Sequence, residues 1–357
     1  MTYRDKTLNN IMSDLIERVD SDMSTGEGTL IDHSFRGAAA EFEQVYIELG
    51  VMEQNAFATT ADREHLILRA KEQGIIPYGA SNAVWKAEFN RDIPIGARFS
   101  AKELTYLCTE QMGEWTYRLV CEQPGTAGNK KRGDLMPIGY IDGLESCELT
   151  ELLIPARNEE GTEEFRNRYF KEVAAPQAVA GNREEYKRAM HEIAGVGACK
   201  IYRATKEERK IHIWFLNNLY RAPGASLVAD VQELMDPLDK QGEGEGKAAI
   251  FHKVDIHACQ EEPITVEAEI VVENGYEWET MLPVAEAKLD EYFLELSKEW
   301  ETTEYITVRI LKINAAIAGV KGVIDVQGTR LNGENENLIL DQNTIPIRGE
   351  IICRQGL

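Results

Sequence analysis

A change of pattern between Thr59 and Ser100 constrains this chain more than any other feature. The stretch TTADREHLILRAKEQGIIPYGASNAVWKAEFNRDIPIGARFS opens as a helix and leaves as β-structure. Thr60 is placed to cap the helix, Asp62 and Glu64 put negative charge on its first turn, and Gly74 closes it. Pro77 and Gly79 interrupt the path, and strand-like segments come next at Trp85–Phe89 and Ile93–Phe99. Residues before the break read as helix, and those after it turn to β. A length of 357 residues suggests two or three domains. The expected fold is a multidomain α+β one: N-terminal helices, a β-rich middle domain, and two small α+β sandwich modules at the C-terminal end.

The helical part covers residues 1–80. Leu8, Ile11, Met12, Leu15, Ile16 and Val19 fall at helical spacing within residues 5–19 and make one apolar stripe. A polar linker comes next, with Gly26 and Gly28 as breakers. A second helix is expected from about Ser34 to Phe57, with Ala38, Phe42, Val45, Tyr46 and Leu49 on one side. Periodicity shows that a face is buried, not against what. Two readings therefore stand: an internal bundle, or contact with a neighbouring subunit. The subunit-contact candidates are Leu8, Ile11, Met12, Leu15, Ile16, Val19, Phe42, Tyr46 and Leu49.

Residues 81–155 read as a β-rich domain of short strands, including IGYIDG and a clear alternation over Trp115–Cys121, with turns at Gly125–Asn129 and Lys130–Asp134. Residues 156–181 form a helical connector with Phe165, Tyr169 and Val173 on one side, punctuated by Pro176 and Gly181. Gly26, Gly28, Pro176 and Gly181 are candidate hinges, because hinges need residues that absorb backbone change.

A weak internal repeat marks the rest. Around Ala194-Gly195-Val196 a helix hands over to the strands ACKIYRA and KIHIWFLN. Around Ala318-Gly319-Val320 the helix ITVRILKINAAI hands over to VIDVQGT and IPIRGEIICR. The repeat marks two α+β units, at 182–260 and 261–357. Ile264, Val266, Ala268 and Ile270 alternate along the first strand of the second unit. Leu282, Ala285, Leu289, Tyr292 and Leu296 step as a helix stripe between the repeats.

Charge narrows the function. Lys and Arg number 39 against 61 Asp and Glu, a net charge of −22. A broad grip on nucleic acid, or on an anionic membrane surface, needs the opposite sign. No apolar run approaches the roughly 20 residues that span a bilayer. The start MTYRDKTLNN lacks the apolar core of a secretory signal. Six cysteines lie far apart without a CxxC pair, which fits free buried thiols in a reducing cytosol.

The local motifs do not assemble into a reaction centre, and no cofactor, metal or catalytic residue is assigned. QGEGEGKAA (Gln241–Ala249) lacks the Gly-x4-Gly-Lys-Ser/Thr frame of a phosphate loop, and Glu243 and Glu245 repel phosphate. His252, Asp255, His257 and Cys259 crowd together. On one strand Asp255, His257 and Cys259 share a face suited to zinc, but the segment brings no fourth ligand, and an ordinary strand explains the same alternation. His33, His65, His191 and His212 have plain surface or helix readings. No serine sits in a GxSxG elbow.

An ordered set of motifs runs along the chain. It comprises Leu66, Arg69-Ala70 and Gly74; Pro77-Tyr78-Gly79-Ala80; Ile93-Pro94-Ile95-Gly96 with Phe99; and Pro124–Asn129 with Gly133 and Leu135. It continues with Thr162–Tyr169, Gly181-Asn182-Arg183 with Tyr186, Gly195-Val196-Gly197, Pro223-Gly224, and the Gly242–Gly246 turn. In order and spacing the set, which covers roughly residues 40–330, resembles the baseplate J-like proteins, wedge components of contractile phage tails and phage-tail-like particles. Ala180-Gly181 stands where Gly-Gly is expected in many relatives, and Ala249 and His252 where Pro and Gly are expected. The resemblance implies a structural, non-enzymatic subunit assembled in the bacterial host cytoplasm. Its implied partners are other wedge proteins, the sheath initiator and the tail hub, under sixfold self-association, with no nucleic acid and no membrane. The alternative is a tail-associated hydrolase or metal enzyme.

Overall fold

The computed structural model describes residues 3–20, 22–130, 134–174 and 181–355. Among these, eight α-helices and fourteen strands give a mixed α+β protein of several sheets. The chain falls into two compact units, Met1–Gly79 with Glu159–Ala175, and Ala80–Asn158 with Pro176–Leu357.

The first unit is helical: α1 (Leu8–Ile16), α2 (Leu30–Asn55), α3 (Arg63–Lys71) and α4 (Thr162–Ala174). The side chains of Thr7, Thr29 and Asp62 accept the amides of Asn10, Asp32 and His65, capping the first three. Asp62, not Thr60, caps α3. A carboxylate is the stronger acceptor at a positive helix end, while the Thr60 hydroxyl is turned back to the Gln54 carbonyl. Ile11 and Met12 of α1 bury against Ala39 of α2, with Leu15, Ile16, Phe35 and Tyr46 around them. Leu66 and Ala70 of α3 pack with Phe165 and Tyr169 of α4. Val173, expected on that same side, is exposed.

The second unit starts with β1 (Val84–Phe89), β2 (Arg98–Ala101), β3 (Leu104–Gly113), β4 (Thr116–Cys121), β5 (Met136–Pro137) and β6 (Cys147–Ile154). They form one antiparallel sheet in the order β5-β2-β3-β4-β1-β6. Alternation buries Ala87, Phe89, Phe99, Tyr106, Tyr117 and Leu119 in its core. The strand expected at Ile93 begins only at Arg98, because Pro94 cannot donate to a ladder and Gly96 turns the chain at φ +90°. Residues 138–143 are not a strand either: Ile138 and Tyr140 are exposed. Of the turn expected at Lys130–Asp134, residues 131–133 lie outside the described residues.

Next come α5 (Arg183–Glu192), β7 (Val196–Tyr202), β8 (Lys210–Asn217), α6 (Ala225–Met235) and β9 (Lys253–Ala258). β8 is the middle strand, antiparallel to β7 and parallel to β9. The parallel pair needs a crossover, which α6 provides. Tyr186 and Met190 of α5 and Leu227, Val231 and Met235 of α6 share a core with Ile213, Phe215, Val254 and Ile256.

The chain ends with β10 (Gln260–Val272), α7 (Trp278–Glu299), β11 (Thr307–Val308), α8 (Ile310–Ala318), β12 (Val323–Leu331), β13 (Leu338–Ile339) and β14 (Thr344–Gln355). β10 lies between antiparallel β12 and parallel β14. Ile264, Val266 and Ile270 pack with Met281, Ala285, Leu289 and Phe293 of α7 and with Ile313 and Ile317 of α8. The repeat seen along the chain does not carry into pairing. β7 and β8 are neighbours, whereas the long β10 separates β12 from β14. Thr307 and Val308, expected in the helix before Gly319, pair with β13 instead. No helix among the described residues is long and apolar enough to cross a membrane.

Candidate functional site

The candidate contact residues fall into two groups. Ile11 and Met12 are buried, and Leu8, Leu15, Ile16, Val19 and Tyr46 half-buried. Phe42 and Leu49 are exposed, as are Val45, Val51, Met52 and Phe57. Length explains the exposure beyond Tyr46, whereas Phe42 lies between Ala39 and Tyr46, within reach of α1, and is exposed all the same. α1 has 9 residues and α2 has 26, so at 1.5 Å per residue α1 covers about 14 Å of a helix about 39 Å long. The C-terminal half of α2 keeps a row of apolar side chains in solvent, an arrangement that marks interaction surfaces.

The hinge candidates differ in their tethering. A Cβ at Gly26 would meet nothing within 4 Å. Gly28 adopts φ +83° and donates its amide to Asp32 at 3.1 Å. Asp32 is itself buried and paired with Arg36 at 3.0 Å. Gly181 adopts φ +84° and donates to the Glu185 carboxylate, while Asn182 accepts the Glu185 amide at 2.9 Å. The two bonds cap the start of α5, with the Glu185 carboxylate taking the amide one residue before the Asn182 cap. Pro176 lies outside the described residues.

The crowded His252–Cys259 segment does not form one site. His252 Nδ1 turns to the Tyr186 hydroxyl at 2.8 Å. β9 stops at Ala258, and Cys259 enters the core around α7 rather than sharing a face with Asp255 and His257. Burial pushes its thiol up to about 12. Asp255 and His257 remain together, and β8 adds His212 beside them, with His212 Nδ1 3.0 Å from His257 Nε2. His212 is thus a strand residue facing its neighbour across the pair, which no local spacing reveals. Burial, then the neighbouring His212, lowers His257 below the usual imidazole range.

A second cluster joins α5, β7 and the loop after α7. Glu301 Oε1 lies 3.0 Å from His191 Nε2 and 3.6 Å from Cys199 Sγ. Burial and the Glu301 charge push the Cys199 thiol well above its ordinary range. Burial works against the Glu301 carboxylate, yet its hydrogen bond with His191 holds it lower than usual. A nucleophilic thiol needs the reverse, a stabilised thiolate. Beside it, Lys200 is 9% exposed and donates to the carbonyls of Gln342 at 2.7 Å and Glu304 at 3.2 Å. These contacts bind the middle sheet to the C-terminal module.

The glycine-rich turn closes α6. The amides of Lys247 and Ala248 donate to the carbonyls of Leu234 and Met235 at 3.0 and 2.8 Å, satisfying the open helix end. Gly246 has to be glycine, since a Cβ would stand 2.5 Å from the Met235 carbonyl oxygen. Buried Asp236 accepts the amides of Gly242 and Val254 at 2.9 and 2.8 Å. The amides of Gly242, Lys247 and Ala248 are thus committed to the fold.

Two family domains match the sequence: the baseplate J-like central domain over residues 178–272 and the baseplate J-like protein C-terminal domain over residues 264–353. The phage-like element PBSX protein XkdT of Bacillus subtilis (strain 168) is 31% identical over 353 residues, 98% of each chain. The uncharacterized protein YqbT of the same strain is 29% identical over 353 residues, again 98% of each. A chain of the cryo-EM structure of the anti-feeding prophage (AFP) baseplate, 6-fold symmetrised, is 9% identical, with 96% of this chain and 97% of that one covered. Its TM-score of 0.40 is too low to add to the assignment. The chain belongs to the baseplate J-like protein family and is a baseplate-type component of a phage or phage-like particle.

Proposed function

We propose that this protein is a structural subunit of the baseplate wedge of a contractile phage tail or tail-like injection particle. The observation that carries the proposal is family similarity running the length of the chain, 98% of it against the PBSX protein. In this reading it joins other wedge proteins, the sheath initiator and the tail hub in a sixfold assembly built in the bacterial host cytoplasm. The regions 1–80, 81–155, 156–181, 182–260 and 261–357 then offer separate surfaces to separate neighbours, as a ring subunit requires.

The exposed row on α2, with Phe42 and Leu49, is the surface proposed to meet those neighbours. Gly26 and Gly28 before α2, and Pro176 and Gly181 before α5, are the proposed hinges for baseplate rearrangement. The Glu301 cluster pushes the Cys199 thiol up rather than activating it, which gives no support to a tail-associated hydrolase with a cysteine nucleophile. Native mass spectrometry tests the wedge reading, on the chain alone and co-expressed with the products of neighbouring genes. A defined hetero-complex that is lost when residues 1–57 are deleted supports it. A chain that stays alone with every neighbour overturns it.

A further inference from the structure

The face of the middle sheet turned away from α5 and α6 gathers two imidazoles and a carboxylate from adjacent strands. His212 on β8 pairs with Asp255 on β9, and His257 lies two residues further along on the same face. One ligand atom from each of the three lies within 4.8 Å of the others, and the two ring nitrogens are 3.0 Å apart. We propose that His212 Nδ1, His257 Nε2 and a carboxylate oxygen of Asp255 bind one divalent transition-metal ion of the zinc class.

The donor set suits such an ion. Two imidazole nitrogens and one carboxylate oxygen match zinc sites that keep an open coordination position, and nitrogen-rich sets discriminate against magnesium and calcium. Bonds of about 2.0–2.1 Å at a tetrahedral angle separate two ligand nitrogens by roughly 3.3 Å. The two rings need to part by only a few tenths of an ångström to admit the ion.

The surroundings orient the ligands. Glu208 Oε2 lies 2.8 Å from His212 Nε2, the far side of that ring. With the proton on Nε2 donated to Glu208, the Nδ1 lone pair faces His257, the carboxylate–histidine–metal relay of known sites. Trp214 stacks on the His257 ring with centroids 4.8 Å apart and fixes its plane. Asp255 is held by Lys210 Nζ at 2.9 and 3.0 Å and by Gln241 Nε2 at 3.0 Å. Lys210 is a competing cation. Its removal should strengthen binding, a sign that general damage to the fold does not produce.

The test is titration of the full chain with Co²⁺ and Zn²⁺, read by the visible absorption of bound cobalt and by equilibrium dialysis. One ion per chain is expected. His212→Gln and His257→Gln should each weaken binding at least about 100-fold, and Glu208→Gln by roughly 10–100-fold. Lys210→Met should tighten it. Cys199→Ser and His191→Gln should leave it unchanged, because those residues belong to the other cluster. The proposal is overturned by a wild-type chain that binds no stoichiometric ion. It is equally overturned by binding that survives both His212→Gln and His257→Gln, or that weakens in Lys210→Met.

Discussion

Lys200 Nζ donates across 2.7 Å to the carbonyl oxygen of Gln342, joining the middle sheet to the loop before β14. The ammonium also sits 4.6 Å from the centre of the Trp300 ring. Burial pulls its pKa down to about 8, opposed in part by the Glu304 charge. The folded chain thus holds this proton less tightly than the unfolded chain, whose lysines titrate near 10.4. Between about pH 8 and 10.4 the unfolded state binds more protons, so the contribution of Lys200 to stability rises with pH. Burial of Cys108, Cys259 and Cys353, with thiols pushed up to about 11, about 12 and about 11, acts in the opposite direction above pH 9. Comparison with Lys200→Met cancels the thiols. The variant should lose about 1–3 kcal/mol at pH 7, because two carbonyls lose their donor. The gap to wild type should widen from pH 8 to 10 in urea unfolding. A constant gap would show that Lys200 carries no burial penalty.

Arg168 organises the small core of α3 and α4. Its guanidinium spans both oxygens of Glu160 at 2.8 Å, reaches Glu172 and the Ile76 carbonyl at 2.6 Å, and lies 4.0 Å from the centre of the Tyr78 ring. The Glu160 side chain is only 9% exposed. Arg168→Ala leaves that carboxylate without a cation and with only the Tyr78 amide, at 3.0 Å, among these partners, which costs about 3–5 kcal/mol. Arg168→Lys keeps the charge but not the planar fork, and should recover less than half of the loss. Hydrogen exchange at the α4 amides reads the effect. Equal protection in Arg168→Lys and wild type would argue that charge alone suffices.

Two glycines should respond in opposite directions to alanine. Gly246→Ala drives a Cβ to 2.5 Å from a backbone oxygen of α6, and overpacking of this kind costs about 1–3 kcal/mol. Gly37 lies inside α2 with nothing within 4 Å of an added Cβ. Gly37→Ala should therefore stabilise by about 0.5–1 kcal/mol through helix propensity. Thermal melts of the two variants measure both signs.

What the sequence made legible was periodicity. Alternation placed Ile264, Val266 and Ile270 on the buried face of β10, and the α7 stripe found Ala285 and Leu289. Its other members, Leu282, Tyr292 and Leu296, flank the true buried row of Met281 and Phe293. A stripe fixes a face only to within a residue or so. The misses share a cause. His191 meets Glu301 across 110 positions, and His212 meets His257 only because β8 and β9 pair in parallel through the α6 crossover. Partners chosen by strand pairing leave no mark in local spacing. The segment from His252 to Cys259 misled for the same reason, since the strand ended one residue before Cys259 could join the face.

The exposed row on α2 yields the prediction that bears most directly on assembly. Phe42 is 50% and Leu49 37% exposed, whereas Ile11 on α1 is 6% exposed and packs inside the helix pair. Substitution at exposed positions usually changes stability by no more than about 0.5 kcal/mol. The double variant Phe42→Ser, Leu49→Ser should therefore melt like wild type. If α2 forms the proposed contact, two apolar anchors are lost, and the hetero-complex should weaken at least about tenfold, or ~1.4 kcal/mol. Ile11→Ser should do the reverse, destabilising the helix pair before it touches assembly. Thermal melts paired with native mass spectrometry of the co-expressed complex separate the two effects. An undiminished complex from a well-folded double variant would place the contact surface elsewhere than on α2.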